Sequence, residues 1–114
     1  MTDFQYIKTR ITNNVLYLTL ARPEKRNAFT PTMVNEMAYA VDIANKNKEV
    51  RLVVIDAEGP VFCAGMDLKV FQNPELDKIN PNIENKAIPL ADTISQLIKP
   101  SIAIVNGDVI AGGF

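Results

Sequence analysis

Strand-like and helix-like runs alternate along this chain, and their order limits the possible folds more than any other feature of the sequence. Residues 4–11 and 15–20 are both β-rich. Asn13 and Asn14 lie between them and tolerate the left-handed backbone that a tight turn requires. Alternate positions of the second run are leucine, which places these side chains on one face of a strand. We predict a β-hairpin.

A loop and then a helix are predicted after the hairpin. Residues 21–28 carry charge and a proline but show no period. Thr30 and Pro31 suit an N-cap and a first helical position, since the N–H that proline lacks would be unpaired there. Apolar residues then recur at helical spacing until the polar segment 45–48. They are Met33, Val34, Met37, Ala38, Val41 and Ala44.

The middle of the chain predicts a strand, a turn, a short helix and a long loop. Residues 52–55 form a short apolar run typical of a strand buried on both faces, and residues 58–60 turn the chain. Asp67 suits the N-cap of a short helix that continues through Phe71. Residues 72–85 are polar and aperiodic, as expected of a binding loop.

A second helical stripe precedes another strand-like run. Pro100 is expected to end this helix, and residues 101–105 read as a buried strand before a turn at Asn106-Gly107. The resulting order predicts an α/β fold built from repeated ββα units. A Gly-Gly pair normally introduces another element, so the sequence suggests one truncated domain over residues 1–114. The stripe consists of Ala87, Leu90, Ala91, Ile94, Leu97 and Ile98.

Charge and cysteine content exclude several classes of function. The 12 basic and 13 acidic residues give no field that would attract nucleic acid or an anionic membrane. No run is long and apolar enough to span a membrane, and the polar start lacks the layout of a secretory signal, so we expect a cytoplasmic protein. With one cysteine and no histidine, an internal disulfide, the usual zinc sites and a Ser-His or Cys-His pair cannot form.

Two pairs of small residues point to chemistry performed by the main chain. Ala64-Gly65 and Gly112-Gly113 would let a ligand approach the backbone, and a helix starting after such a pair has unpaired N–H groups. Two N–H groups from separate loops can form an oxyanion hole. Each donor contributes roughly a hundredfold to a thousandfold in rate.

Three segments carry a resemblance to a known family. They are residues 22–28 (RPEKRNA), residues 62–68 (FCAGMDL) and residues 99–107 (KPSIAIVNG) continuing to Ala111-Gly112-Gly113. In this order they resemble the crotonase superfamily, also called the enoyl-coenzyme A hydratase/isomerase family. The likeness covers nearly the whole chain and implies the family's spiral of ββα units, whose C-terminal helical region assembles homotrimers or dimers of trimers.

The resemblance implies an acyl-CoA thioester as ligand, with coenzyme A belonging to the substrate and no separate cofactor or metal. It places the oxyanion donors at the N–H groups of Ala64 and Gly112 and implies enolate stabilisation in fatty acid metabolism. Hydration of 2-enoyl-CoA is the leading reaction, while isomerisation, thioester hydrolysis and dehalogenation occur on the same scaffold. The family's catalytic glutamates follow the Gly-Gly motif and cannot be assigned here. The implied substrate contacts are Arg26, Asn27, Ala28, Ala64, Gly65, Met66, Asp67, Leu68 and Gly113.

Several of these residues have a plainer alternative. Cys63 is expected to be a small buried residue instead of a nucleophile, because no histidine can activate it. Asp67 is expected to cap a helix instead of acting as an acid or base. Arg22, Lys25 and Arg26 could bind coenzyme A phosphates or simply be solvated.

Two further hypotheses about the whole chain remain open. It could be a non-catalytic truncated product that shares every motif with the enzymes and binds coenzyme A weakly. It could also be a thiol enzyme, which inactivation on alkylation of Cys63 would indicate.

Overall fold

The structure is a computed structural model that describes residues 4–83, 90–105 and 108–109. The elements alternate in the predicted α/β order. Two short 3₁₀ turns, Pro23–Lys25 and Pro74–Leu76, lie in the loops. The strands are β1 (Ile7–Thr12), β2 (Val15–Leu20), β3 (Leu52–Ala57), β4 (Val61–Cys63), β5 (Ser101–Ala103) and β6 (Asp108–Val109), and the helices are α1 (Pro31–Lys46), α2 (Leu68–Gln72) and α3 (Leu90–Ser95).

The predicted hairpin is confirmed. Strands β1 and β2 pair antiparallel, with Thr12 opposite Val15. Asn13 and Asn14 have φ angles of 51° and 66°, the left-handed conformation that a two-residue hairpin turn requires. Alternate residues of β2 are buried and face the core: Leu16, Leu18 and Leu20.

Helix α1 begins as predicted and supplies much of the core. The Thr30 side chain accepts a hydrogen bond from the Met33 N–H at 3.1 Å, and Pro31 is the first helical residue. The helix ends at Lys46, within the polar segment expected to end it. Its buried face packs with β2, β3 and the segment around Phe29. From this face the core contains Met33, Val34, Met37, Ala40 and Ala44.

The main sheet has the strand order β1-β2-β3-β5, in which β2, β3 and β5 pair in parallel. Leu16 pairs with Val53 and Val54 with Ile102. Val53 and Val54 point to opposite faces and are both buried, which confirms a strand covered on both sides at its centre. A second pair, β4 with β6, is also parallel and places Cys63 beside Val109.

Strand β5 differs from its prediction as a buried strand. Residues 101–103 form a strand as expected, but each is exposed, as are Ile104 and Val105. The reason is position, because β5 is last in the strand order of the described sheet. Apolar composition alone did not distinguish a central strand from one at the end of the sheet.

Helix α3 ends earlier than its apolar stripe predicts. It stops at Ser95, so Leu97 and Ile98 lie beyond it, and Pro100 is not what terminates it. The Asn45 side chain ends the helix instead, since its amide donates to the Gln96 carbonyl at 2.8 Å and its oxygen accepts from the Ile98 N–H at 3.0 Å. Ala87 and the Asn106-Gly107 turn lie outside the described residues.

The loop predicted over residues 72–85 is irregular between Asn73 and Ile83 apart from one 3₁₀ turn, while Gln72 belongs to α2 and residues 84–85 lie outside the described part. Among the described helices, none has the length and apolar character needed to cross a membrane.

Candidate functional site

A parallel bridge between Phe29 and Met66 joins the segment between β4 and α2 to the loop before α1. The Phe29 N–H donates to the Gly65 carbonyl at 2.7 Å, and the Asp67 N–H donates to the Phe29 carbonyl at 2.9 Å. In a parallel bridge the residue between these two partners directs its own N–H to the opposite side. That residue is Met66. Its N–H has no acceptor among the described residues.

The N–H of Ala64, which the family resemblance assigned as an oxyanion donor, is not free to bind a ligand, and this assignment is corrected. The Ala64 N–H donates to the carbonyl oxygen of Arg26 at 2.9 Å, so this group is already engaged by the protein. Regular alternation along an extended segment would direct the N–H groups of Ala64 and Met66 to the same side, but the left-handed Gly65 between them interrupts the extended backbone. The Ala64 N–H faces the Arg26 loop, and the outward donor of this segment is Met66, which the sequence suggested only as a substrate contact.

Gly65 explains why a small residue stands in this bend. Its φ of 85° is in the left-handed region, which residues with a side chain rarely adopt. Its N–H donates to the Sγ of Cys63 at 3.3 Å. The glycine thus serves the turn that presents Met66.

Cys63 is the small buried residue that the sequence predicted. Its side chain is fully buried, and its Sγ donates to the Asn27 carbonyl at 3.3 Å. Burial raises the pKa of the thiol, and the hydrogen bond from Gly65 only partly offsets this. A protonated and enclosed thiol is a poor nucleophile, so the structure gives no support to a thiol enzyme.

Asp67 caps α2 as predicted. Its Oδ1 accepts hydrogen bonds from the N–H groups of Lys69 at 3.0 Å and Val70 at 3.1 Å. Its Oδ2 lies 2.7 Å from Nη1 of Arg22, a contact that the sequence did not reveal. Burial alone would raise the pKa of this carboxyl, but Arg22 and the two N–H groups lower it below its ordinary value.

Both interpretations of Arg22, as a phosphate ligand or as a solvated loop residue, are wrong. The residue is only 7% exposed. Its Nη1 donates to the Ala28 carbonyl at 2.9 Å as well as to Asp67. Lys25 and Arg26, by contrast, are exposed, and either interpretation remains open for them.

Asn27 and Ala28 form the inner wall of the site and do not offer their side chains to a ligand. Asn27 is fully buried, its Oδ1 accepts from the Arg22 N–H, and its Nδ2 donates to the carbonyls of Glu58 and Val61 at 2.8 and 2.9 Å. The Asn27 side chain therefore has a structural role, and a substrate contact at Asn27 stays a prediction. Met66 and Leu68 are 44% and 71% exposed and remain accessible.

The second predicted donor loop, Gly112-Gly113, lies outside the described residues. The strand that leads toward it is described, however. Val109 of β6 pairs with Cys63 of β4 in parallel register. Met66 and Gly112 each stand three residues further along the sequence from this pair.

Known proteins resemble the chain in sequence. Residues 10–114 match the family model described as enoyl-CoA hydratase/isomerase. A hydroxycinnamoyl-CoA hydratase-lyase of Pseudomonas fluorescens is 32% identical over 95% of this chain and 41% of its own length. A trans-2-decenoyl-[acyl-carrier-protein] isomerase of Streptococcus mutans is 33% identical over 94% of this chain and 42% of its own length. The chain thus spans about two fifths of the length of these relatives.

Solved structures resemble the chain as well. The crystal structure of an enoyl-CoA hydratase from Mycobacterium tuberculosis superposes with a TM-score of 0.77 at 28% identity, covering 95% of this chain and 40% of that chain.

Proposed function

The chain belongs to the enoyl-CoA hydratase/isomerase family, and from this premise we propose that it forms part of an acyl-CoA site in which the Met66 N–H donates to the thioester carbonyl oxygen. The crotonase resemblance and the predicted fold are confirmed by the family match and the solved structure. Relatives of this chain are enzymes named for hydratase, lyase and isomerase reactions. We propose catalytic activity for the whole protein to which this chain belongs.

The observation on which the proposal depends is the Met66 N–H, which has no acceptor among the described residues and belongs to a segment anchored on its other side. A donor held in this way needs no rearrangement when negative charge develops on a carbonyl oxygen. Gly112 is the proposed second donor. Its support is the parallel register of β4 and β6, which runs toward Met66 and Gly112 from the Cys63–Val109 pair.

The rest of the acyl-CoA is proposed to follow the exposed side chains around this donor. The Arg26 carbonyl accepts a hydrogen bond from the Ala64 N–H, so the main chain of Arg26 lies beside the bend. The Arg26 side chain is exposed, and its guanidinium is suited to a phosphate of coenzyme A. Leu68 follows Met66 by two residues and offers exposed apolar surface. The proposed contacts from the described residues are Arg26, Met66 and Leu68.

We propose hydration of a 2-enoyl-CoA as the reaction. An isomerase among the relatives supports double-bond isomerisation as the second candidate. Both reactions place negative charge on the thioester oxygen, so both need the same donors and differ in their acid and base. With no histidine in the sequence, and with Asp67 committed to Arg22 and to the start of α2, that acid and base are not assigned to the described residues.

The test is vibrational spectroscopy of a bound substrate analogue. The protein that carries this chain is titrated with carbonyl-labelled butyryl-CoA, which is saturated and cannot be hydrated. We expect the carbonyl stretch to move to lower frequency on binding and to return when free coenzyme A displaces the ligand. A bound ligand whose carbonyl frequency equals that in water would contradict the proposal.

A further inference from the structure

The proposed donor is flanked by a buried ion pair that the oxyanion chemistry does not itself require. Arg22 and Asp67 are separated by 45 residues, and their side chains are 8% and 10% exposed. Asp67 directly follows Met66 in the sequence. A buried pair costs desolvation and is not by itself a source of stability, so its place beside the donor calls for a further explanation.

The geometry of the pair spans the bridge that fixes Met66. The same Nη1 of Arg22 donates to the Ala28 carbonyl and to the Asp67 carboxylate. Ala28 precedes Phe29 and Asp67 follows Met66, so these two bonds connect both segments of the Phe29–Met66 bridge. One nitrogen therefore holds together the two segments that set the direction of the Met66 N–H.

Arg22 is itself held rigidly enough to serve this purpose. Its N–H donates to the Asn27 side chain, and its carbonyl accepts from the Asn27 N–H, both at 2.8 Å. Its guanidinium lies over the Tyr6 ring, 5.4 Å from the centroid. The cation is thus fixed at its main chain and at its charged end.

Charge gives the pair a second consequence. A carboxylate one residue from the donor opposes the negative charge that develops on a bound carbonyl oxygen, and this repulsion is strong where water is excluded. The guanidinium of Arg22 is 2.7 Å from that carboxylate and cancels much of its field.

We propose that Arg22 is a positioning residue: through Ala28 and Asp67 it fixes the Met66 N–H, and it neutralises the carboxylate beside the developing oxyanion. This inference rests on the proposed function for its electrostatic part only. The positioning part concerns the bridge itself and can be measured without substrate.

The first test measures positioning by amide hydrogen exchange in the protein that carries this chain. In Arg22→Gln we expect the N–H groups of Phe29 and Asp67 to exchange roughly tenfold faster or more, because a buried pair held their segments together. Arg10→Gln is the matched control, since Arg10 also lies over a tyrosine ring, 4.0 Å from the centroid of Tyr17, but on the exposed hairpin. Unchanged exchange in Arg22→Gln would overturn the proposal.

The second test separates neutralisation from a purely structural role. Arg22→Gln leaves Asp67 negative, Asp67→Asn leaves Arg22 positive, and the double variant leaves neither charge. With bound carbonyl-labelled butyryl-CoA we expect the downward carbonyl shift to be smallest in Arg22→Gln, larger in the double variant and largest in Asp67→Asn. A structural pair would give equal shifts in the two single variants, and that result would overturn the electrostatic part.

Failure of the proposed function and failure of Arg22→Gln to fold can each be told apart from failure of the positioning role. If the unaltered protein shows no carbonyl shift while exchange accelerates in Arg22→Gln, the proposed function fails and the positioning role stands. If Arg22→Gln does not fold, the comparison of Asp67→Asn with the unaltered protein decides. A carbonyl shift in Asp67→Asn no larger than in the unaltered protein would then overturn neutralisation.

Discussion

The Glu36 carboxylate of α1 accepts a hydrogen bond from the main-chain N–H of Tyr6 at 2.7 Å, across 30 residues of chain. Its second oxygen accepts from the Gln5 N–H at 2.7 Å and from the Asn80 side chain at 2.8 Å. Glu36 is fully buried, so one carboxylate joins α1 to the N-terminal segment and to the loop after α2.

Glu36→Gln is expected to destabilise the fold by about 2 kcal/mol, because an amide nitrogen would face a main-chain donor and leave it unpaired. Urea unfolding measures the loss, and hydrogen exchange should localise it to residues 5 and 6. Glu49→Gln is the control, since that side chain is exposed. Equal stability of both variants would contradict the structural role of Glu36.

Cys63→Ala is expected to keep activity and to lose about 1 kcal/mol of stability, because a small buried side chain is shortened. Alkylating reagents should modify the native protein slowly and the urea-unfolded protein quickly. A folded Cys63→Ala protein without activity would restore the thiol hypothesis.

The raised pKa of Cys63 also predicts a pH dependence. A group with a raised pKa in the folded state contributes stability below its ordinary pKa and loses it as pH rises through the folded value. The difference in unfolding free energy between the unaltered protein and Cys63→Ala should therefore shrink as the pH is raised into the alkaline range, as urea unfolding at several pH values would measure.

Asn27→Asp is expected to destabilise the protein by about 3 kcal/mol, because a carboxylate would replace the amide donor that faces two carbonyls in a fully buried position. Thermal unfolding provides the measurement. Asn82→Asp, at an exposed position, should leave the melting temperature nearly unchanged. Tolerance of Asn27→Asp would show that this side chain does not hold the loop.

The stability contribution of the Asp67 carboxylate should depend on pH in the acid range. Its pKa is lowered in the folded state, so its contribution to stability is present above the ordinary carboxyl pKa and is lost as pH falls through the lower folded value. Asn remains a good N-cap. The stability difference between the unaltered protein and Asp67→Asn should therefore narrow as the pH falls below the ordinary carboxyl pKa of about 4. Asp42→Asn, in an exposed pair with Lys46, should show little of this trend. A constant difference for Asp67→Asn would contradict the ion pair.

The elements that the sequence predicted correctly are those whose signals are local. The hairpin turn at Asn13 and Asn14, the Thr30 cap and the Asp67 cap each depend on a few adjacent residues. Failures arose where a distant contact decided the outcome. Asn45 ends α3 from a different helix, and no property of the apolar stripe encodes that contact.

In the candidate site, too, the local features were predicted and those that depend on distant contacts were not. Small residues correctly marked the bend at residues 64–65, but which N–H faces outward depends on the pairing of Met66 with Phe29 and on the left-handed backbone of Gly65. The Arg22–Asp67 pair was missed for a related reason, because the sequence gives no measure of burial for a charged loop residue. Both residues nevertheless belong to segments that carry the family resemblance, residues 22–28 and 62–68.

The most direct measurement replaces single amides of the main chain by esters, which removes one N–H and keeps every side chain. With carbonyl-labelled butyryl-CoA bound to the protein that carries this chain, an ester at Met66 should abolish most of the downward shift of the carbonyl stretch. An ester at Ala64 removes only the bond to the Arg26 carbonyl and should retain the shift. A full shift with the Met66 ester, or its loss only with the Ala64 ester, would contradict the assignment of Met66 as the donor.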